Sequence, residues 1–500
     1  MKLIFNGRFY GNDLPYDSII LKLYEEHGDD FPQHLPDGDF AFALVDDDLD
    51  TTYLCRDRVG NRVIYYTIDD GIMYFNFRIL DLLESCNKEI QINKDKIKEY
   101  ITNLAVYGEE TLFYDVYEVQ PAEIVIYRNG KINKRKYFDF EFDSKIRDMN
   151  RSEQIKGFLK LFDNAIKKRF NTDTKVLVSG GIDSTFLVSR LRGFHTGLLQ
   201  SYSLGINYQN RARYNEFKYS DQVSKLFYLE HNNLEYDVED FSNVCELTTE
   251  IHEEPMPHVA AIPAIYLCNE LENNVILSGG GGDELFGGYS DHIIAANNFN
   301  EDDKDVNIVS KLRRIPECVV NHIINQDSND TYRHNMIEYF NNNNYPDSVS
   351  KMLYMELKTH AIHMLNKESK INNIFNVDCR FPFLDYELIQ FVLSMSPNLK
   401  INNGVGKYLL KNFCHLNFND DFVYRNKAGM SAPVKSWFKN NLELLEFKNI
   451  RNSEIGYLFD FEYLNHYLTK RKKPYRRVWR FHQLDLWVRK VNEWRGNNAI

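Results

Sequence analysis

Two short turns carry the residue types that chemistry needs. The first is Val176-Leu-Val-Ser-Gly-Gly-Ile-Asp-Ser-Thr185, where a β-branched run gives way to a helical pattern through two glycines, two hydroxyls and one acid. Glycines let the backbone turn tightly and bring its N–H groups close to an anion. The N-terminus of a following helix adds free donors and a partial positive charge. Phosphate suits such a turn, with Ser179 and Ser184 as hydroxyl donors around Gly180 and Gly181. Asp183 cannot face a phosphate directly, so its presence predicts a bridging Mg²⁺. The Gly-Lys-Ser/Thr ending of a Walker A loop is absent. The plain alternative is a helix cap by Asp183 or Ser184, but a cap needs one such residue, not the whole run.

The second turn is Val275-Ile-Leu-Ser-Gly-Gly-Gly-Gly-Asp-Glu-Leu-Phe-Gly-Gly-Tyr289. Four glycines let a ligand lie against bare backbone, and Asp283 with Glu284 supplies hard oxygen ligands at a strand's end. Alone, a glycine tract reads as a flexible loop. A second glycine–acid turn in one chain favours a shared ligand.

Both turns need strands beneath them. Residues 153–169 read as a helix, 175–178 as a strand and 184–191 as a helix, the order of a βα unit in a parallel sheet. Residues 202–204 and 275–277 read as further buried strands, and from about residue 351 the spacing is mostly helical. Earlier in the chain, residues 40–45, 52–54, 63–66 and 124–127 are short β-branched and aromatic runs separated by Asp, Gly and Asn, which predicts a sheet domain with few helices. The polar stretch 143–152 lacks an apolar period and marks the boundary, giving predicted domains 1–148 and 149–500. The asparagines at 341–344 read as a loop, and no internal repeat is found.

Bulk properties exclude several classes. A chain of 500 residues exceeds one compact core, so two or three domains are expected. The formal net charge of -12 leaves no basic footprint for nucleic-acid phosphates, so no nucleic-acid partner is expected. The 7 cysteines, at 55, 86, 245, 268, 318, 379 and 414, form no Cys-x-x-Cys pair, which argues against a zinc site or a disulfide framework and for a reducing cytoplasm. The apolar stretch 259–268 is too short to span a bilayer, so no membrane association is expected.

The first turn resembles the pyrophosphate loop of N-type ATP pyrophosphatases, and with both turns the chain resembles the asparagine synthetase family, which includes asparagine synthetase B, β-lactam synthetases and lasso-peptide cyclases. Further matches are Phe381-Pro-Phe-Leu-Asp385, Gly406-Lys-Tyr-Leu-Leu410, Arg425-Asn-Lys-Ala-Gly-Met-Ser-Ala-Pro433 with Trp437-Phe438, and Trp487. Nearer the start are Asn6-Gly7, Gly38-Asp-Phe-Ala-Phe-Ala-Leu44, Arg56-Asp-Arg-Val-Gly60 and Thr111-Leu-Phe113. The resemblance implies a mixed α/β and α+β protein. A β-rich remnant of an N-terminal-nucleophile glutaminase sandwich would precede a parallel-sheet ATP-pyrophosphatase domain, adenine nucleotide alpha-hydrolase-like, with a helical C-terminal part.

It also implies an amide ligase that activates a carboxylate as its adenylate. ATP and Mg²⁺ are the expected cofactors. By similarity, Asp183 and Asp283 hold Mg²⁺ on the phosphates, and Val178, Ser179, Leu204, Ser278 and Gly279 line the adenosine site. Lys427 steadies the adenylated centre and pyrophosphate, which agrees with the charge that grows as pyrophosphate leaves. Lys407 opens a predicted helix and is placed to reach phosphate, or else is solvated. Asp378 matches a family glutamate that orients or deprotonates the attacking amine, with an ion pair to Arg380 as the alternative.

The departures shape the substrate. Complete family members begin with a cysteine nucleophile, and the text here joins their pattern at Phe5-Asn6-Gly7. Arg8 stands where the glutamine-binding motif has Glu, and Phe75-Asn-Phe-Arg-Ile79 replaces a Phe-Ala-Ser-Glu-Ile stretch. Cys55 and Cys86 cannot substitute, because that chemistry uses the α-amino group of the first residue as its base. No glutaminase activity is therefore expected of this chain, and the domain is read as a platform. Gly280 stands where asparagine synthetases carry an acid and β-lactam synthetases a tyrosine, which removes a proton acceptor and predicts a wider pocket. Ser369 stands where an acid is usual. The expected partners are a small-molecule or peptide carboxylate and an amine or ammonia, with a separate glutaminase or a precursor peptide as sources. A homodimer is compatible with the resemblance. Specialised-metabolite or peptide modification is the favoured role, with ammonia-dependent asparagine synthesis and a silent ATP-binding regulatory scaffold as alternatives.

Overall fold

The computed structural model describes residues 1–497 except 12–13, 87, 207–214, 237–240, 298–314, 316, 326–330, 426–428, 430–431, 441–445 and 470–474. Its first sheet is antiparallel, in the order β1 (Lys2–Phe9), β2 (Gly38–Asp46), β3 (Thr51–Arg56), β7 (Glu123–Arg128), β8 (Lys131–Lys136). A second, smaller sheet holds β5 (Ile72–Asn76), β4 (Tyr65–Asp69) and β6 (Tyr117–Glu118). The alternation in β2 explains how the layers close. Phe40, Phe42 and Leu44 point to one face, with Phe31, Tyr53 and Ile124. Ala41 and Ala43 point to the other, where their small side chains meet Tyr66 of the second sheet and Ile64 and Val119 at its strand ends.

This part is less purely β than the sequence suggests. Helix α1 (Tyr16–His27) uses Ile19, Ile20 and Tyr24 as its buried face. The strand expected over 63–66 begins at Tyr65. The opening strand β1 pairs along its whole length with β2, Lys2 opposite Val45 and Phe9 opposite Gly38, and carries little buried apolar surface that would mark it in the sequence.

Helix α2 (Arg151–Arg169) starts two residues before the expected 153, because Asn150 and Glu153 form a reciprocal capping box. A five-stranded sheet follows, in the order β11 (Glu230–Tyr236), β10 (Gln200–Ile206), β9 (Lys175–Leu177), β12 (Val275–Leu277), β13 (Asp378–Arg380). Every neighbouring pair is parallel. Chain order runs outward from β9 on one side and resumes at β12 on the other, so the order reverses between β9 and β12. Open parallel sheets hold their ligands in the crevice outside the carboxyl ends at such a reversal. Both glycine turns emerge there. Strands β11 and β13 escape the sequence reading because Glu-His-Asn-Asn-Leu-Glu-Tyr is a polar edge strand and β13 has only three residues.

The C-terminal part is helical, as expected. Its last helix, α5 (Tyr475–Asn497), buries Trp479 and Trp487, whose indole N–H groups donate to the Met256 and Glu253 carbonyls. Phe113 of the sheet domain meets the Trp487 ring edge to face at 5.6 Å. The same contact between parts is made by fully buried Arg56, which donates to Glu118 at 2.6 Å and to Asn366 at 2.5 Å. No described helix is long and apolar enough to cross a membrane.

Candidate active site

Glycine is sterically required at several places in the two turns. Gly180 sits at φ +70, and a Cβ there would come within 2.6 Å of Tyr219 Cβ. A Cβ on Gly279 would lie 2.8 Å from the Ser184 amide nitrogen, and one on Gly282 would lie 2.4 Å from Asp183 Oδ1. The two turns therefore touch through bare backbone, and glycine is what permits the contact. Helix α3 (Ile182–Arg192) begins at Gly181 with no side-chain cap. Its N-cap is a glycine with no side chain to cap it, so the helix start, with its partial positive charge, faces the crevice. Ser184 Oγ lies 3.2 Å from Ser179 Oγ and donates to the Gly181 carbonyl at 3.1 Å, while the Gly280 amide donates to Ser278 Oγ at 3.3 Å.

Between the turns lies a cavity of about 450 Å³. Ser179, Asp183, Ser184, Leu204, Ser278, Gly279, Gly280 and Asp283 all line it. Leu177 lines it in place of Val178, whose side chain is packed in the core on the other face of the sheet. Gly180 and Gly181 form the turn behind, where the Gly180 carbonyl accepts from Arg425 at 3.0 Å. Arg425 is in turn held by Glu216 at 3.0 Å and stacked 3.9 Å over Tyr219. Lys427, two residues on, lies outside the described residues.

Lys407 is not solvated. It is 5 % exposed and precedes helix α4 (Tyr408–His415), with its ammonium 2.5 Å from Asp183 Oδ2 and 2.6 Å from Asp283 Oδ1. Burial alone would lower its pKa, but the two carboxylates outweigh burial and hold it above the ordinary lysine value. Sequence reasoning passed over Lys411, one turn along the same helix. Burial and the neighbouring Lys407 charge lower its pKa against the pull of Asp183 and Asp283, and its ammonium lies 5.6 Å over the Tyr424 ring. The spacing of four residues was the available signal. It also passed over Lys367, 2 % exposed and paired with Glu368 at 2.7 Å in the cavity wall.

Two expectations change. Asp378 does not line the cavity. It opens β13, level with Val275 at the amino end of β12, and its carboxylate turns toward the sheet domain. Arg380 binds it through Nε and Nη2, both at 2.6 Å, and Arg8 of β1 reaches it at 2.5 Å. Side chains alternate along a strand, so Cys379 and Phe381 face the cavity while Asp378 and Arg380 face away. The ion pair with Arg380 is thus what forms. Gly280 also does not simply widen the pocket: a Cβ there would sit 2.9 Å from Phe381 Cδ1, so an aromatic ring fills the space along that direction.

Asp183 and Asp283 suit a divalent cation. They come from different strand ends, share one seat and already bracket a positive charge in it. Bound there, Mg²⁺ would neutralise phosphate oxygens and orient the triphosphate.

A family model described as Asparagine synthase matches residues 157–489, and one described as Glutamine amidotransferase domain matches residues 17–138. The chain is 24% identical over 494 residues to the glutamine-hydrolyzing asparagine synthetase 1 of Bacillus subtilis, covering 88% of this chain and 77% of that protein. It is 23% identical over 520 residues to Amidase chry2 of Gibberella zeae, covering 87% and 76%. It is 20% identical over 499 residues to asparagine synthetase 3 of Bacillus subtilis, covering 92% and 78%.

Proposed function

Because the chain belongs to the asparagine synthase family of ATP-dependent carbon–nitrogen ligases, we propose that it joins a specialised-metabolite or peptide carboxylate to an amine without hydrolysing glutamine itself. The observation that carries this reading is the meeting of two glycine turns and two carboxylates on one cavity at the β9–β12 reversal. In the first step a substrate carboxylate oxygen bonds to the α-phosphorus of ATP and the α–β anhydride breaks, releasing pyrophosphate. In the second, the amine nitrogen bonds to the acyl carbon, AMP leaves and the amine loses a proton.

The residues divide this work. Asp183 and Asp283 hold Mg²⁺, Ser179, Ser184 and the start of α3 bind phosphate oxygens, and Leu204, Ser278 and Gly279 flank the adenosine. Lys407, Lys411 and Lys427 offset the charge that develops as pyrophosphate departs. Arg8 and the cysteines support the absence of glutaminase activity. Arg8 is committed to Asp378, while Cys55 and Cys86 are buried and burial raises the Cys55 thiol pKa. In this reading residues 1–148 are a platform and residues 149–500 the synthetase.

AMP release measured against a panel of small-molecule and peptide carboxylates, with ammonium or tethered amines, tests the proposal. Turnover with at least one is expected, and inertness toward all of them while ATP still binds would sink it. Relatives named as asparagine synthetases keep one rival in view, ammonia-dependent asparagine synthesis. Aspartate and ammonium yielding asparagine as the preferred product would select that rival.

A further inference from the structure

Lys407 is held in a conformation that lysine rarely adopts. Its backbone has φ 54 and ψ 33, in the left-handed region, and its amide donates to the Phe286 carbonyl at 2.8 Å. The side chain threads a slot with no spare room. A Cβ on Gly288 would fall 1.9 Å from Asp283 Oδ1 and 2.1 Å from Lys407 Cε, and one on Gly406 would fall 2.1 Å from the Gly287 carbonyl oxygen. Strained backbone persists only where the surroundings over-determine it. Here the surroundings bring the Lys407 ammonium between carboxylates from two different strand ends, Asp183 buried and Asp283 partly exposed at the cavity. The same seat is where a divalent cation fits, and ammonium and metal cannot both occupy it.

We propose that Lys407 is a resident counter-ion that closes the metal seat until nucleotide arrives, so that Mg²⁺ and ATP enter together and neither carboxylate takes up the metal beforehand. This rests on the reading that Asp183 and Asp283 hold Mg²⁺. The triphosphate supplies what a bare metal ion lacks, namely anionic oxygens to receive the displaced ammonium at the end of its four-carbon stem. Metal and nucleotide binding are then coupled through one side chain, and the coupling must be reciprocal.

The experiment is a titration of the full chain with Mn²⁺, followed by electron paramagnetic resonance, with and without α,β-methylene ATP, and repeated with K407M. The natural chain should bind Mn²⁺ at least a hundredfold more tightly with the nucleotide analogue than without it. K407M should bind Mn²⁺ without the analogue, and its gain from the analogue should be at least about tenfold smaller than that of the natural chain, the remainder being the triphosphate's own hold on the metal. Equal Mn²⁺ affinity of the natural chain in both conditions overturns the counter-ion role, as does unchanged coupling in K407M. Failure of the underlying reading is distinguishable: no site-bound Mn²⁺ under any condition, or binding that survives D183N, would remove the carboxylates from metal binding altogether. Should K407M not accumulate as folded protein, the natural chain alone still decides, because nucleotide-independent Mn²⁺ binding contradicts a closed seat.

Discussion

Two buried charge clusters in this molecule are built from the same chemistry and do opposite things. Around Lys407, Asp183 Oδ2 at 2.5 Å and Asp283 Oδ1 at 2.6 Å bring carboxylates from two strand ends onto one ammonium. Around Asp378 there is one carboxylate among three guanidiniums, with Arg8 at 2.5 Å, Arg380 at 2.6 Å and Arg62 at 4.0 Å. The first opens onto a cavity at the carboxyl ends of β9 and β12. The second lies at the amino end of β13 against the sheet domain, and Arg8 belongs to that domain. Carboxylates presented to a cavity from two strand ends suit an incoming cation. Guanidiniums from both parts of the chain around one carboxylate instead pin those parts together. The difference teaches that an acid near a ligase cavity is assigned by its strand parity and by whether its partners face the cavity or another part of the chain.

The largest effect should come from breaking the first cluster. Asp183→Asn removes one of two anionic oxygen donors, and AMP formation should fall at least about a thousandfold, since a metal-held triphosphate depends on both position and charge. Far-UV circular dichroism should be unchanged. Retained turnover would take Asp183 out of the mechanism and erase the contrast between the clusters. Gly288→Ala attacks the same cluster sterically, because its methyl group overlaps Asp283 Oδ1 and Lys407 Cε. A loss of kcat/KM by about ten- to a hundredfold is expected, intermediate because neighbouring backbone can shift.

Asp378→Asn sharpens the comparison from the other side. Removing the carboxylate leaves the buried Arg62 and Arg380 and the half-buried Arg8 facing one another, which should cost about 2–4 kcal/mol of unfolding free energy. The denaturant midpoint should drop, while AMP release at saturating substrate should fall less than about tenfold. A large loss of turnover with no change in midpoint would return Asp378 to the reaction and make both clusters catalytic.

How much of this was legible in the sequence depends on scale. The two turns were readable because glycine, serine and aspartate at a strand's end leave few alternatives, and Val275–Leu277 is the strand that was read. Helix α2 was found but not its first turn, since capping lies in Asn150, outside the apolar period. Parity was not readable. Val178 and Asp378 were assigned to the site, whereas the structure turns both away and presents Leu177, Cys379 and Phe381. Val176-Leu-Val178 is apolar at every position and carries no alternation to say which face is which, while Asp378-Cys-Arg380 does alternate but is too short to be recognised as a strand. Nor could the sequence say that Lys407 is buried, because its two partners lie 224 and 124 positions away.

Gly280 offers the smallest test, and it probes the cavity wall between the clusters. The sequence predicted spare room where relatives carry a larger side chain, but the Phe381 ring stands 2.9 and 3.0 Å from where a Cβ would be. Such a distance is short for a carbon contact, yet a ring edge can yield by a few tenths of an ångström. Gly280→Ala should therefore lower kcat/KM by about two- to fivefold and change stability by no more than about 1 kcal/mol. Affinity for α,β-methylene ATP should hold within about threefold, because the displaced ring faces the cavity beyond Ser278 and Gly279. Phe381→Leu frees that space, so the double variant should recover most of the loss, a coupling that a double-mutant cycle reads directly. Additive effects of the two substitutions would mean that the ring does not fill the position, and the wider acyl pocket expected from Gly280 would stand.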